Sequence, residues 1–335
     1  MKWIKRSSAL LILMLLIGCA GQPAFDTDLV WPIPPDKPRI QLIDIYSDNS
    51  SVGQSNFRKF ISNVTGEGRT RLVKPYGVSV DSTGKVYVTD TGLGSVLVFD
   101  RVEREIQTIG KQRRGRLQLP LGIVVVGDHV FVTDGSLKKV FGYTLAGKLI
   151  LSIGKSEEFG NPTNIAYSSK DNWLYVSDSK NNVIRVYDAA SGAFQFEFGE
   201  PGEKEAQFNR PAGIAVQGDK VYVVDQMNFR VQIFSLTGDY QKMFGKIGSG
   251  AGYLFRPKGI GVTKDGFIFI TDAEFHNFQI FDENGNVYLF VGQLGNEPGD
   301  FSLPAGLCID LNNNIYVVDQ LNKRVQKFKF FWGDQ

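Results

Sequence analysis

Six aspartates recur along the chain, at Asp90, Asp134, Asp178, Asp225, Asp272 and Asp319, spaced 44, 44, 47, 47 and 47 residues apart. Carboxylates gathered on one face could hold a cation. Carboxylates that each close their own loop would instead accept backbone N–H groups or pair with a nearby cation such as Arg230 or Arg324. Recurrence in every unit favours the structural role, because a ligand site needs one asymmetric constellation. The other residues with chemistry to offer are few. There are two histidines, His129 and His276, and two cysteines, Cys19 and Cys308. One uneven feature is basic: Lys111, Arg113, Arg114 and Arg116 fall in the run KQRRGR, and Lys138 and Lys139 follow the second aspartate. Such a patch could be a solvated charge run, or it could dock an acidic protein, lipopolysaccharide phosphate or an anionic glycan.

The elements that must position these residues are short strands. Residues 211–245, PAGIAVQGDKVYVVDQMNFRVQIFSLTGDYQKMFG, hold four apolar-alternating runs separated by turn residues. That pattern predicts an antiparallel four-stranded meander. The same phrase is written six times. It opens at Pro75-Tyr-Gly77, Pro120-Leu-Gly122, Pro162-Thr-Asn164, Pro211-Ala-Gly213, Pro257-Lys-Gly259 and Pro304-Ala-Gly306, and each second strand ends on one of the six aspartates. A period in the forties with four strands per unit is a propeller blade. Fourth strands end at Ile109-Gly110, Ile153-Gly154, Phe198-Gly199, Phe244-Gly245 and Val291-Gly292, which makes five and not six. The missing outer strand is assigned to residues 39–46 (RIQLIDIY), so that the N-terminus closes the ring and leaves no edge at the seam. The predicted fold is therefore all-β, a six-bladed β-propeller of four-stranded antiparallel blades closed by an N-terminal strand in the last blade. Residues 47–74 connect that strand to the repeats of residues 75–335, with residues 57–64 read as a short helix or ordered loop.

Connectivity within such blades places the inter-blade loops and the loops between second and third strands on one face, here the first face. It puts the two remaining turns of each blade on the second face. His129 then falls on the second face and His276 on the first, so they cannot share a metal. Neither has an identifiable nucleophile partner, so no catalytic pair is assigned. His276 is read as a surface loop residue, and no metal ligand set is assigned. Cys308 lies in a first strand and is read as a small buried residue. The glycine clusters at residues 248–250 and 292–295 lie in inter-blade loops and are turns, not phosphate cradles.

Residues 1–18 stand outside the fold. Lys2, Lys5 and Arg6 precede an apolar run of residues 9–17, too short to span a bilayer and of the kind that directs secretion. Its end, Leu16-Ile17-Gly18-Cys19, resembles a bacterial lipobox, which implies cleavage before Cys19 and lipid attached there, with stable anchoring by several acyl chains. The same resemblance implies a cell-envelope location, with the outer membrane favoured by Ala20. Residues 19–38, with five prolines, read as an extended tether. The overall charge of +2 includes three cations of the leader, so the remainder carries about −1 and gives no case for nucleic acid.

The phrases Pro-x-Gly, Val-Tyr-Val-x-Asp and Asn-x-Arg-Val-Gln-x-Phe, best written at Asn228–Phe234 and Asn322–Phe328, resemble the NHL-repeat family across residues 75–328. With the lipobox and Trp31-Pro-x-Pro-Pro, the whole is similar to bacterial NHL-repeat lipoproteins. The family includes RNA-binding and ubiquitin-ligase-associated modules, sensors and an amidating lyase, so the resemblance fixes the fold and leaves activity to the site. Blade 1 departs from the motif at Leu93 and Ser95, blade 2 at Leu137 and Lys139, blade 3 at Asn164 and Val183, and blade 5 at Phe275 and Asn277. The lyase branch uses a histidine cluster that two histidines cannot supply. A gluconolactonase-like propeller would need Glu, Asn and Asp converging at the channel mouth, and Glu274 and Asn277 are on the right face for it. The reading that results is a monomeric, envelope-anchored propeller that binds a protein partner or ligand as a non-catalytic scaffold or sensor. No cofactor is expected beyond lipid at Cys19. The alternative is a metal-assisted lyase or hydrolase.

Overall fold

The computed structural model describes residues 29–53, 70–155 and 158–331. The leader, Cys19, the first half of the proline-rich stretch and residues 57–64 lie outside these. Six antiparallel sheets follow one another around a ring, in residues 75–109, 120–153, 162–198, 211–244, 257–291 and 304–330. Second strands end on the six aspartates as expected, and the five fourth strands end at Ile109, Ile153, Phe198, Phe244 and Val291. The last blade takes its outer strand from the N-terminus. Strand β2, Ile40–Tyr46, pairs antiparallel with the third strand of blade 6, Arg324–Phe330, with Ile40 opposite Phe330 and Tyr46 opposite Val325. Among the described residues no helix is long and apolar enough to cross a membrane.

Two expectations need correction. Blade 6 has five strands, because β1, Val30–Trp31, adds outside β2. The end of the proline-rich stretch is thus docked and not free. Its anchor is Trp31, whose ring meets Phe328 edge-on at 5.9 Å, and the prolines follow only where the short strand ends. Cys308 is half-buried and lines the central channel, where its first strand turns one face toward the axis.

Apolar residues alternate because each sheet packs on two neighbours. The core accordingly divides into six clusters, one at each junction between successive blades. A repeated plug completes every junction. Three residues before each opening proline stand Leu72, Leu117, Phe159, Phe208, Leu254 and Phe301, all essentially without exposure. Five of them press on the glycine that ends the preceding fourth strand. A Cβ at Gly110, Gly199 or Gly292 would lie 2.4, 2.3 and 2.4 Å from the plug, and all three glycines have positive φ. Glycine is required there twice over, by conformation and by space.

The opening Pro-x-Gly has a second spatial cause. The first strands converge on the axis, and a Cβ at Gly77, Gly213, Gly259 or Gly306 would meet the next blade's x-residue carbonyl at 2.4, 2.3, 2.5 and 2.6 Å. Hydrogen bonds bind these junctions. Thr89, Thr133 and Thr271 donate to Leu121 O, Thr163 O and Ala305 O at 2.6, 3.4 and 2.6 Å. In blades 4 and 6 a glutamine does the same work: Gln226 donates to Pro257 O and Gln320 to Pro75 O. Below this constriction runs a cavity of about 270 Å³, lined by the first strands of all six blades.

Candidate binding face

The inter-blade loops and the loops between second and third strands meet on the first face, as the connectivity requires. In blade 2, Gly135 N donates to Leu119 O and Ser136 Oγ to Gln118 Oε1. The six aspartates stitch these two sets of loops together. All are fully buried. Asp90 accepts from Val73 N and Lys74 N in one loop and from Gly92 N and Leu93 N in the other, at 2.6 to 3.0 Å. Asp134 accepts from Gln118, Leu119, Ser136 and Leu137 in the same way, and Asp272 from Phe255, Arg256, Glu274 and Phe275. Asp178 takes Gly160 N, Asn161 N and Asn181 Nδ2. Carboxylates so fully supplied with donors hold loops, and little of their accepting capacity is left for a cation.

In blades 4 and 6 one backbone donor remains, Asn209 N to Asp225 and Ser302 N to Asp319, and a side-chain clamp takes the place of the others. Arg230 Nε lies 2.8 Å from Asp225, and its two terminal nitrogens donate to Glu203 O, Lys204 O and Gln207 O. Arg324 repeats this with Asp319, Asn296 O, Glu297 O and Asp300 O. Gln232 and Gln326 add Gln207 O and Asp300 O. Burial pushes the Asp225 and Asp319 carboxyls up, against the opposing pull of these guanidinium groups. Blade 3 has Val183 in place of the arginine, and Arg185, two residues on, turns to Asp178 at 3.8 Å and Glu197 at 3.0 Å.

Blade 2 has no such clamp. Lys139 and Phe141 stand where blade 4 has Arg230 and Gln232, and the preceding loop is held instead by the Tyr143 hydroxyl donating to Gly115 O. Arg113, Arg114, Arg116 and Lys138 are exposed and form no ion pair among the described residues. Lys139 is half-buried, and Lys111 Nζ reaches Leu93 O across to blade 1. The two stretches of the basic patch therefore share one blade and one face. His129 is exposed on a second-face turn, whereas His276 Nδ1 accepts from Leu303 N at 3.3 Å and ties blade 5 to blade 6. No group of three His, Cys, Asp or Glu side chains converges to hold a metal among the described residues.

Sequence reasoning missed the channel mouth. The x residues of the six openings form its first-face rim, and they are Tyr76, Leu121, Thr163, Ala212, Lys258 and Ala305. Lys258 is the one charged member. Blade 6 separates it from Tyr76, yet the small Ala305 leaves room, and Lys258 Nζ sits 5.8 Å from the centre of the Tyr76 ring. Burial pushes the ammonium down to about 8, with Arg256 and Lys74 acting in the same direction. The signal in the sequence was a lone lysine at a position otherwise uncharged.

Comparison with known proteins agrees with this geometry. Residues 208–234 match the NHL repeat and residues 258–331 a six-bladed β-propeller family. Protein brain tumor of Drosophila melanogaster is 28% identical over 120 residues, covering 35% of this chain and 11% of that one. The peptidylglycine alpha-amidating monooxygenase of Rattus norvegicus is 30% identical over 181 residues, 47% of this chain and 18% of that one. The chain thus spans less than a fifth of either relative. Among solved structures, a catalytically inactive virginiamycin B lyase from Staphylococcus aureus with quinupristin superposes with a TM-score of 0.57 at 18% identity, over 79% of this chain and 84% of the lyase. Fold and comparisons together define a six-bladed β-propeller. The NHL-repeat match falls on blade 4, from the plug Phe208 to the end of its third strand, and the relatives that share it are NHL-repeat proteins.

Proposed function

We propose that this propeller is a non-catalytic binding scaffold of the bacterial cell envelope, held at a membrane by lipid on Cys19 and docking a protein partner through its first face. One observation carries the reading. The loops of blade 2 gather Arg113, Arg114, Arg116 and Lys138 on one blade, exposed and without an ion pair among the described residues, whereas Arg230 and Arg324 of blades 4 and 6 are buried in structural clamps. Cations left free on a rigid frame attract an acidic surface and cost the core nothing. Virginiamycin B lyase supports the fold and, at its low identity, no chemistry here.

The test is photo-cross-linking in intact envelopes, with a reactive side chain placed at Arg113 or Arg114 and, in a control, at the second-face residue Asp219. One reproducible neighbour captured from the first face alone supports docking there. Equal capture from both faces, or none, removes it. Anchoring is tested separately. Cys19→Ala should move the chain from the membrane to the soluble fraction and leave the leader uncut, and unchanged partitioning and size would sink the lipid assignment.

A further inference from the structure

The channel mouth has features that neither loop stitching nor the blade 2 patch explains. Lys258 is half-buried at the rim, forms no ion pair among the described residues, and lies over the face of Tyr76. The charged groups that act on it, Arg256 and Lys74, share its sign. Both are exposed and stand immediately before the opening prolines of blades 5 and 1, so they flank the same sector of the rim. Asp272, which lies opposite the adjacent Pro257 in the sheet, is fully buried and already accepts from Phe255, Arg256, Glu274 and Phe275. Glu274, on the neighbouring loop, is exposed. Next to Arg256 an aromatic strip begins: the half-exposed Phe255 lies 6.1 Å from Phe229 and 6.4 Å from Phe275.

A cation held partly out of water without a counter-charge is unfavourable unless something else supplies the charge. Here three cations surround one opening, beside aromatic surface that nothing in the described chain covers. The floor of the opening is the Pro-x-Gly constriction, where backbones of neighbouring blades close to contact. A ligand would therefore rest on the mouth without threading the channel.

From this arrangement we infer that the first-face mouth of the channel is a binding site for a small oxyanion on an apolar body, a carboxylate or a phosphate monoester, received by Lys258 and Arg256 with its body on Tyr76. The site uses none of the blade 2 cations and goes beyond the docking role proposed above. An arriving oxyanion supplies the missing charge, and charge-assisted hydrogen bonds to Lys258 and Arg256 replace water at both. Tyr76 offers a flat apolar surface at the same spot.

Calorimetric titration of the full chain with benzoate, phenyl phosphate, inorganic phosphate and benzyl alcohol tests this. Benzoate or phenyl phosphate should bind saturably at one site, and whichever binds tighter identifies the class. Inorganic phosphate should bind more weakly for want of a body, and benzyl alcohol should not bind. Lys258→Met should weaken the tighter ligand about tenfold or more, as loss of a charged hydrogen bond requires. A footprint on the unmutated chain gives a second reading: at pH 8, acetylation of Lys258 by N-hydroxysuccinimidyl acetate should slow when benzoate or phenyl phosphate is present, and that of Lys138 should not. Charge reversal at Arg113 and Arg114 should leave all of this unchanged, so the docking patch can fail while the mouth stands. Absence of binding by both aromatic anions, equal binding by Lys258→Met, or an unprotected Lys258 would each overturn the site.

Discussion

Arg230 and Arg324 show how a single side chain can act as a fastener. Each joins a buried carboxylate to three carbonyls of an inter-blade loop, so its removal strands a charge and several acceptors together. Arg324→Ala should therefore cost about 3–5 kcal/mol, the range for breaking a buried pair from one side. It would be read as a lower denaturant midpoint at unchanged slope. Arg324→Lys restores the charge without the fork and should recover only part of the loss. A stable Arg324→Ala chain would refute the clamp. Lys258 carries the opposite sign. Its folded value of about 8 lies below the ordinary 10.5, so the unfolded chain holds that proton more tightly. The penalty is full below pH 8 and disappears as pH rises through 10.5. Lys258→Met should stabilise the chain at pH 7 by at most about 3 kcal/mol, reduced by the water that a rim admits. The gain should fade between pH 8 and 10.5; one that stayed constant with pH would belong to packing and not to charge.

At the scale of strands and loops, the plug and its glycine form a unit repeated at five of the six junctions. At Gly199 the backbone has φ +90 and a Cβ would sit 2.3 Å from the Phe208 ring, inside a junction with no slack. Gly199→Ala should destabilise by about 2–4 kcal/mol, combining backbone strain with overpacking. At Gly218, where nothing lies within 4 Å, the same change should cost only about 1 kcal/mol, from conformation alone. Thermal or denaturant unfolding of the two variants separates space from conformation. The contrast also explains what could be read in advance. Strands were legible because alternation marks any sheet packed on both faces, and Asp90 and its five counterparts marked where each second strand stops. The plugs at Leu72 through Phe301 stood at a fixed distance before each proline, but an isolated apolar residue in a polar loop carries no periodicity to announce it. Strand β1 escaped because two residues ahead of a proline cannot show a period. The mouth escaped for another reason: Lys258 and Tyr76 are 182 positions apart and meet only because six first strands converge.

Taken as a whole, the molecule is a ring of six junctions with separate cores, and five of these join blades that follow one another in the chain. The sixth is different. It packs blade 1 on blade 6, and blade 6 is itself complete only when the earliest described strands meet the latest, β2 lying against Arg324–Phe330 across roughly 280 residues of intervening chain. During synthesis the first-made partner must wait for the last. Until then the growing chain is an open arc whose end blades each show an apolar side, the state most prone to wrong association. A permuted chain with residues 29–53 moved behind Phe331 would make the pairing that completes blade 6 local. It should fold faster than the natural order at similar stability, since loop closure weighs on rate more than on equilibrium. Stopped-flow refolding would show it, and equal rates would mean that closing the ring is not the slow step. The seam that makes the finished ring tight thus also fixes a moment: the ring cannot close before Arg324–Phe330, the last of its strands, has been made.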